Sequence, residues 1–287
     1  MKVLLVTKKA TKFITKRLVE EAQKRGHEVV HIYYEDLVIS IGEGLVINAG
    51  EKTLAGGFGA VILRMAPSGA GVYYKDILAR HFSDQSYVLN GDSYIKWPFL
   101  GKIMQNYLLS VSGVSIVQSD LYARYGLLSP EEYEYPIVVK KNFGRLGKDV
   151  LKIDQKRQLK MIIGKNTNQF LLQPFLKTGE DYRIIVLGGK ALPRAMKKIA
   201  PEGKFVTNIS QGGKAVGEAL SDELRQTAER AAVVFETDFC GVDIMYNRDG
   251  KPFVFEINRS ANFEGFEEST GINVAAETIN LLERKAK

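Results

Sequence analysis

Apolar and polar positions follow each other along the chain in blocks that predict a βαβ beginning. Residues 2–6 (KVLLV) form a short apolar run after Lys2 and predict a strand, and the polar segment after them has apolar residues at helical spacing. Gly26 predicts the end of that helix, and residues 29–34 predict a second strand. Further strands are predicted at residues 45–48 and 60–64. The chain up to about residue 97 is therefore predicted to be a small α/β domain.

The turn after the first strand lacks the glycine pattern of a dinucleotide-binding loop. Its residues are Thr7-Lys8-Lys9-Ala10, whereas such a loop needs glycines to bring the backbone close to a pyrophosphate. We therefore expect no nucleotide site at this turn.

Strands dominate the second half of the chain. A helix is predicted over residues 99–112 and a short one near residues 120–125, and from Tyr135 onward the pattern alternates at strand spacing. The predicted strands are residues 136–140, 150–153, 170–175, 182–187, 191–199, 242–246 and 253–257. Two further helices are predicted at residues 221–236 and 273–284. A strand-rich α+β region thus follows the N-terminal α/β domain.

Composition narrows the class of protein. The 287 residues are 45% hydrophobic and 25% charged, which is typical of a globular chain. The single cysteine, Cys240, excludes an internal disulfide and a multi-cysteine zinc site, and the three scattered histidines disfavour a histidine-based metal site. We find neither a secretory signal nor an apolar run of membrane length. We expect a cytoplasmic protein without a membrane partner.

Basic and acidic residues are concentrated in different segments. The 40 Lys and Arg exceed the 33 Asp and Glu by 7, which favours anionic partners. Residues 140–165 carry nine basic residues and two acids, whereas residues 218–287 carry 14 acids and 8 basic residues. The basic residues lack the interleaved aromatic residues of a stacking platform, so no nucleic-acid partner is expected.

Three oxygen-bearing side chains lie on the last two predicted strands. Asp243 lies in one strand, and Glu256 and Asn258 lie on one face of the next. If the strands pair across the turn at residues 247–250, Asp243 faces the other two. Two carboxylates and an amide oxygen suit Mg²⁺, and their apolar neighbours argue against a solvated acidic face. The sequence therefore predicts a magnesium site.

A lysine-rich loop with two glycines follows the predicted strand at residues 136–140. Lys140 ends this strand, and the loop after it includes Gly144 and Gly147. Backbone N–H groups and lysine charges in such a loop suit phosphate, but the ending of a Walker loop is missing. A plain basic hairpin is the alternative, and the metal site predicted nearby favours phosphate binding.

Two further segments carry weaker signals. Residues 173–183 leave one strand, turn at Gly179 and enter the next strand with a carboxylate pair. This arrangement could present backbone groups to a base and an acid to a ribose, and an ordinary connection is the alternative. In the strand that contains Arg194, alternation places Arg194 and Lys198 on one face and Lys197 on the other. We interpret Lys197 as part of a solvated basic face.

In this order, the segments resemble the ATP-grasp superfamily of carboxylate–amine ligases. The most similar subgroup contains the ligase that adds glutamate to a ribosomal protein and the carrier-protein ligases of lysine biosynthesis. The resemblance covers about residues 98–285. Its most specific motifs are Asp181-Tyr182-Arg183, residues 199–203 with Asn208, Gly212-Gly213, Asp243 with Glu256-Ile257-Asn258, residues 264–267 and residues 270–272.

The resemblance implies an ATP-grasp fold in three parts. These are a pre-ATP-grasp α/β domain at residues 1–97, an N-terminal subdomain with a phosphate lid at residues 98–175, and a C-terminal subdomain with the magnesium site at residues 176–287. The implied reaction forms an amide through an acyl phosphate, because a carboxylate first attacks the γ-phosphate of ATP and an amine then displaces phosphate. The implied cofactors are ATP and Mg²⁺, with Mn²⁺ as a substitute.

The resemblance also implies roles for particular residues. The lysines among the nucleotide-binding residues would hold phosphates, residues 173–176 would hold adenine, and one of two acids would meet the ribose. The nucleotide-binding residues are Lys102, Lys140, Gln173, Phe175, Leu176, Glu180 and Asp181. The residues implied to contact phosphate or acyl phosphate are Arg183, Arg194, Lys198 and Asn208. The implied Mg²⁺ ligands are Asp243, Glu256 and Asn258.

The segment after the last metal ligand departs from the subgroup. Members commonly have Asn-x-Ser-Pro-Gly there, whereas this chain has Asn258-Arg259-Ser260-Ala261-Asn262. Because the acceptor should lie near this segment, Arg259 and Asn262 suggest a different acid or amine.

The implied partners are an amino acid and a carboxylate-bearing acceptor, such as an acidic peptide or a carrier protein, and a homo-oligomer is left open. One alternative is a small-molecule dipeptide or D-amino-acid ligase. The other is a catalytically inactive, nucleotide-binding regulatory module.

Overall fold

The computed structural model describes most of the chain. The described residues are 1–10, 12–64, 71–143, 149–163, 169–204, 207 and 212–286, without the side chains of residues 71, 72 and 125. Asn208 and the two glycines of the lysine-rich loop, Gly144 and Gly147, lie outside the described residues.

The first part of the chain has the predicted βαβ beginning. Its elements are β1 (Lys2–Thr7), α1 (Lys12–Lys24), β2 (Glu28–Tyr33), β3 (Leu37–Ile41), β4 (Leu45–Ala49), β5 (Lys52–Thr53), β6 (Ala60–Leu63), α2 (Gly71–Ser83), β7 (Tyr87–Leu89) and α3 (Gly91–Lys96). Four strands form a parallel sheet in the order β2-β1-β6-β7, and β3, β4 and β5 form a separate antiparallel sheet. α1 ends just before Gly26, which has a φ of 75° that a glycine adopts without strain.

A small antiparallel sheet follows. Its elements are α4 (Lys102–Val111), β8 (Ile137–Lys141), β9 (Val150–Ile153), α5 (Lys156–Ile163) and β10 (Phe170–Pro174), and the strand order is β10-β8-β9. The short helix predicted near residues 120–125 is wrong. Asp120 instead forms a β-bridge with Leu172, a long-range pairing that local spacing does not reveal. A 3₁₀ turn covers Tyr125–Leu127.

The last part of the chain is built on a larger antiparallel sheet. Its elements are β11 (Glu180–Leu187), β12 (Lys190–Ala191), β13 (Arg194–Ile199), β14 (Lys214–Ala219), α6 (Asp222–Val234), β15 (Phe239–Tyr246), β16 (Pro252–Asn258), α7 (Glu264–Thr270) and α8 (Val274–Lys285). The strand order is β14-β13-β11-β15-β16, with β12 paired to β11. The single strand predicted over residues 191–199 is therefore two strands, because the chain turns at Leu192 and Pro193 between β12 and β13.

The two faces of this larger sheet are covered differently. Ile184, Val242 and Val254 on one face belong to a core that includes the buried residues of α6. Ile185 and Met196 on the other face belong to a core with α1, α7 and α8. That second face is apolar only towards one end, and its other end carries the charged residues described below.

The N-terminal region is joined to the larger sheet by polar contacts. The Asn90 amide donates to the Phe239 carbonyl at 2.7 Å and to the Arg259 carbonyl at 3.0 Å, and its oxygen accepts from the Phe239 N–H at 2.8 Å. Arg17 of α1 donates to the Glu267 carboxylate at 3.0 Å. These contacts hold the segment after β16 against the N-terminal sheet.

Candidate active site

The pairing of β15 with β16 brings the three predicted metal ligands to one face. Asp243 lies opposite Glu256, and Asn258 lies opposite Gly241. The register shifts between Asp243 and Ile244, so Phe255 is an extra residue in β16. Its ring lies 5.3 Å from Lys140 Nζ, so it lies at the same site.

β11 and β13 add two cations and a carboxylate to this face. Arg183 lies opposite Asp243, and Lys198 lies opposite Asp181. Arg183 binds Asp243 with two hydrogen bonds, Nε to Oδ1 at 2.9 Å and Nη2 to Oδ2 at 2.6 Å. Lys198 Nζ lies 2.5 Å from Asp181 Oδ1 and 3.3 Å from Asp243 Oδ1. The Thr207 hydroxyl donates to the other oxygen of Asp181.

Asp181, Asp243 and Lys198 are almost completely buried, and burial and neighbouring charges together shift the pKa values of the two carboxylates. The exposed fraction is 1% for Asp181, 2% for Asp243 and 6% for Lys198. Burial opposes the charged form of Asp243, but Arg183 and Lys198 outweigh it and lower the pKa of Asp243. For Asp181 burial dominates and raises the pKa. The neighbouring cations therefore favour the charged form of Asp243 more strongly than that of Asp181.

Two lysines from the preceding region complete the group. Lys102, the first residue of α4, has its Nζ 2.9 Å from Glu256 Oε1. Lys140 comes from the small sheet, and burial lowers its pKa to about 8. We call the seven residues of this group the sheet-face cluster: Lys102, Lys140, Asp181, Arg183, Lys198, Asp243 and Glu256.

The donor set fits Mg²⁺. Asp243, Glu256 and Asn258 offer hard oxygen atoms. Because these are only three ligands, the remaining coordination positions of the ion are open to water and phosphate oxygens. Among the described residues no group of three His, Cys, Asp or Glu side chains could hold a metal ion, so a site at this face would need the amide of Asn258 as well. Its oxygen accepts from the Ser260 N–H at 3.0 Å. A bound cation would share the oxygen lone pairs with these donors.

The residues predicted to hold the base lie where the small sheet joins the larger one. The buried Gln173 side chain donates to Ser119 Oγ at 2.8 Å, so its side chain has a partner within the protein. The Phe175 N–H donates to the Pro136 carbonyl at 3.2 Å, and Lys152 Nζ lies 5.1 Å from the Phe175 ring. Leu176 lines a cleft of about 220 Å³.

Glu180 and Asp181, the two acids predicted near the ribose, lie on opposite faces of β11. Asp181 is part of the sheet-face cluster. Glu180 lines the cleft with Leu176, and its carboxylate lies 2.8 Å from Lys197 Nζ. The structure therefore separates the two candidates, and Glu180 is the one beside the residues predicted to hold adenine.

Arg194 is not brought into the sheet-face cluster. It is exposed at the far end of β13 and donates to the Gly217 carbonyl at 2.9 Å. Sequence reasoning missed two cations near Arg259, the buried Arg64 and the half-buried Lys75. Arg64 directly follows β6, and a position at the carboxyl end of a parallel strand is the signal that could have identified it.

Family profiles match nearly the whole chain. The RimK PreATP-grasp domain matches residues 1–93, and the RimK-like ATP-grasp domain matches residues 105–282. The chain belongs to the RimK-like ATP-grasp family. The predicted superfamily and fold are confirmed, and the chain is an ATP-dependent ligase that forms carbon–nitrogen bonds.

Similar curated proteins of the RimK-like family align over the full chain. A protein of Thioalkalivibrio sulfidiphilus, named a probable alpha-L-glutamate ligase, is 32% identical and is covered over 97% of its length. A protein of Psychromonas ingrahamii with the same name is 30% identical and is covered over 96% of its length. Both alignments include 100% of this chain.

Solved ATP-grasp structures share the fold at lower identity. The ligase PsnB, complexed with a minimal precursor, Mg and ADP, has a TM-score of 0.75 and 19% identity, with 99% of this chain and 97% of PsnB covered. The macrocyclase MdnC of Microcystis aeruginosa, bound with its precursor peptide MdnA, has a TM-score of 0.73 and 15% identity, with 99% of this chain and 100% of MdnC covered.

Among the described residues, no helix has the length and apolarity needed to cross a membrane.

Proposed function

We propose that this ligase joins the amino group of an acidic amino acid to a carboxylate of a peptide or protein acceptor. Glutamate is the first candidate for the amino acid. The observation that carries the proposal is the sheet-face cluster, in which four cations and three carboxylates from two sheets and α4 meet. The names of the curated relatives support glutamate, and the peptide complexes of PsnB and MdnC support a peptide acceptor.

Each group in the sheet-face cluster has a proposed role. Lys102 and Lys140 bind the nucleotide phosphates, and Arg183 and Lys198 stabilise the negative charge of the transferred phosphoryl group. Asp243, Glu256 and Asn258 hold Mg²⁺, for which Mn²⁺ would substitute. The bound Mg²⁺ neutralises phosphate charge.

The nucleoside part has its own proposed contacts. Gln173, Phe175 and Leu176 contact adenine, with Gln173 acting through its main chain because its side chain already binds Ser119. Glu180 binds the ribose. Arg194 and Asn208 keep the roles that the resemblance implies, as proposals.

The proposed reaction has two steps. An oxygen of the acceptor carboxylate attacks the γ-phosphorus of ATP, and ADP leaves with the electrons of the broken P–O bond. The amine nitrogen then attacks the carbonyl carbon of the acyl phosphate, inorganic phosphate leaves, and the nitrogen loses a proton. In both steps the protein acts by positioning its substrates and by neutralising charge.

Three further predictions, on domain division, cellular location and oligomeric state, stay proposals. The division into residues 1–97, 98–175 and 176–287 is the working domain division. A cytoplasmic location is supported by the single cysteine. Homo-oligomer formation is to be tested by light scattering.

The test is a mass-spectrometric screen of amino acids against acidic peptides with ATP and Mg²⁺. We expect glutamate to be added to a peptide in equal amounts with ADP, and expect EDTA to abolish both. A product from two free amino acids would instead identify a small-molecule ligase. Nucleotide binding without ADP formation on any pair would indicate a regulatory module.

A further inference from the structure

Three cations, of which Arg64 is buried and the other two are half-buried, lie together where the N-terminal sheet meets the segment after β16. They are Arg64 at the end of β6, Lys75 in α2, and Arg259 directly after β16. We call them the arginine–lysine cluster. The exposed fraction of Arg64 is 3%.

The contacts of these cations are with neutral groups. Arg64 Nη2 donates to the Ala261 carbonyl at 2.5 Å, and its guanidinium carbon lies 4.7 Å from the centre of the Phe239 ring. Lys75 Nζ donates to Ser260 Oγ at 3.2 Å and lies 4.4 Å from the centre of a tyrosine ring. Arg259 donates to the carbonyls of Ser93 and Trp97 at 2.6 and 2.7 Å.

No carboxylate of the described residues lies within 4 Å of Arg64, Lys75 or Arg259. Within the described part of the chain, Arg64 Nε and the hydroxyl of Tyr34 also have no hydrogen-bond partner, and Tyr34 is only 1% exposed. Unpaired buried charges and unsatisfied buried donors are both costly. The arrangement is therefore complete only when an anion is present.

The pKa values agree with an excess of positive charge. Burial lowers the pKa of Arg64 to about 10 and also lowers the pKa of Lys75 and of Arg259. Burial alone would raise the pKa of Tyr94, but the charges of Lys75 and Arg259 outweigh it and lower that pKa to about 8. Hydrogen bonds with Ser260 and Asn90 lower the pKa of Tyr94 further, but the two positive charges are the larger causes.

The arginine–lysine cluster lies next to the sheet-face cluster. Arg259 directly follows Asn258. Ala261, whose carbonyl accepts the hydrogen bond of Arg64, is three residues after Asn258. A Cβ atom on Gly241, which lies opposite Asn258, would come within 2.7 Å of the Ala261 Cβ. A group held by the arginine–lysine cluster is therefore within a few residues of the proposed metal ligands.

We propose that Arg64, Lys75 and Arg259 bind a substrate carboxylate that does not react, next to the place where the amide forms. Guanidinium forks match the planar geometry of a carboxylate, and the nucleotide phosphates already have Lys102 and Lys140. This inference rests on the proposed function for its substrates. The carboxylate belongs to the incoming acidic amino acid or to the acceptor, and the experiment distinguishes these sources.

Lys75→Met is the informative variant, because it removes one charge at similar length and the described contacts of Lys75 are with two neutral residues, Ser260 and Tyr94. Lys75→Arg is the matched control that keeps the charge. Without ligand, Lys75→Met should melt at a higher temperature than the unchanged protein, since it relieves the repulsion among the three cations. A lower melting temperature with unchanged ligand binding would mean that Lys75 is only a structural contact.

Binding is measured by calorimetry with three probes: L-glutamate, a short peptide that ends in glutamate, and ATP with Mg²⁺. Lys75→Met should weaken one of the two carboxylate probes at least about tenfold and should leave ATP affinity unchanged. The probe that loses affinity identifies the source of the carboxylate. L-glutamine and the α-amide of glutamate, used in place of L-glutamate, identify which carboxylate is held. Equal losses for all three probes would overturn the proposal, as would no loss.

Malonate separates this inference from the proposed function, because it carries carboxylates and is no amino acid. It should raise the melting temperature of the unchanged protein and of Lys75→Arg more than that of Lys75→Met at equal concentration. If malonate discriminates and glutamate is not ligated, the amino acid of the proposed function is wrong and the anion site stands. If malonate stabilises all three proteins equally, the anion site is wrong.

Discussion

Two groups of cations lie side by side in this molecule, and they differ in whether carboxylates contact them. In the sheet-face cluster, Arg183 and Lys198 bind Asp243, and Lys102 binds Glu256. In the arginine–lysine cluster, the cations contact carbonyls, a hydroxyl and aromatic rings. The first group can exchange its internal partners for phosphate and metal, whereas the described residues give the second group no internal anion to exchange.

The difference indicates two kinds of ligand. A site with nearly balanced charges suits a ligand that brings both signs, such as a nucleotide with Mg²⁺. A site with three cations suits an anion alone. Because the two clusters meet at residues 258–261, one short segment connects the proposed phosphate chemistry to the proposed recognition of a carboxylate.

The largest expected effect comes from removing the central carboxylate of the sheet-face cluster. Asp243→Asn removes a proposed metal ligand and leaves Arg183 and Lys198 without their shared partner, while Asp181 and Glu256 keep their contacts with Lys198 and Lys102. We expect ADP formation to fall on the order of 10²- to 10³-fold, measured with a coupled assay at saturating ATP.

The matched control is Glu218→Gln, which changes a carboxylate 3.8 Å from Lys197 on the opposite face of the sheet. It should turn over at close to the normal rate. A normal rate in Asp243→Asn would remove Asp243 from the proposed metal site.

Lys140 gives the next largest effect and a pH dependence. A charge-assisted hydrogen bond is worth about 1.5–3 kcal/mol, so Lys140→Met should weaken ATP binding about 10- to 100-fold. The ammonium group of Lys140, with a pKa of about 8, loses its proton as the pH rises through that value. ATP affinity should therefore fall between about pH 7 and about pH 9.5.

The control for this prediction is Lys140→Arg, whose charge persists throughout that range. Dissociation constants measured with a fluorescent nucleotide should be flat with pH in the arginine variant. Identical pH profiles in both proteins would show that another group titrates.

The sheet-face cluster was predictable from the sequence because period-two alternation is a local property. It placed Glu256 and Asn258 on one face, and the turn at residues 247–250 brought Asp243 opposite, as the register shows. The resemblance added Arg183 and Lys198, and the structure places both beside Asp243. Their roles stay proposals.

The arginine–lysine cluster was not predictable in the same way. Arg64 and Ala261 are separated by 197 positions, and Lys75 and Ser260 by 185, so no local pattern connects them. The short helix predicted near residues 120–125 failed for the same reason, because the bridge of Asp120 with Leu172 decides that segment. Arg259 gave a signal as a departure from the subgroup motif, whereas Arg64 offered only its position at the carboxyl end of a parallel strand.

Gly241→Ala tests the connection between the two clusters. The new Cβ would lie 2.7 Å from the Ala261 Cβ, so the segment must shift, at a cost of about 1–3 kcal/mol of unfolding free energy. We expect this loss in urea denaturation, together with weaker binding of both the nucleotide and the carboxylate probe.

Ala261→Gly should relieve the contact, so the double variant should be more stable than the sum of the single changes predicts. Simple additivity would show that the two positions are not in contact, and the two clusters would then be independent.

The smallest effect is expected on the opposite face, at the neighbour of Lys198 in sequence. Lys197 Nζ lies 2.8 Å from Glu180 and 3.8 Å from Glu218, and both carboxylates are well exposed. The hydrogen bond to Glu180 raises the pKa of Lys197, so the stabilisation is present at neutral pH and is lost only as the pH rises above the ordinary lysine range. Water screens such a pair, so Lys197→Met should cost less than about 1 kcal/mol in urea denaturation.

High salt should shrink that difference further. A loss of unfolding free energy in Lys197→Met that is larger than this and independent of salt would contradict the comparison of Lys197 with Lys198. It would mean that the two faces of this strand do not differ in burial.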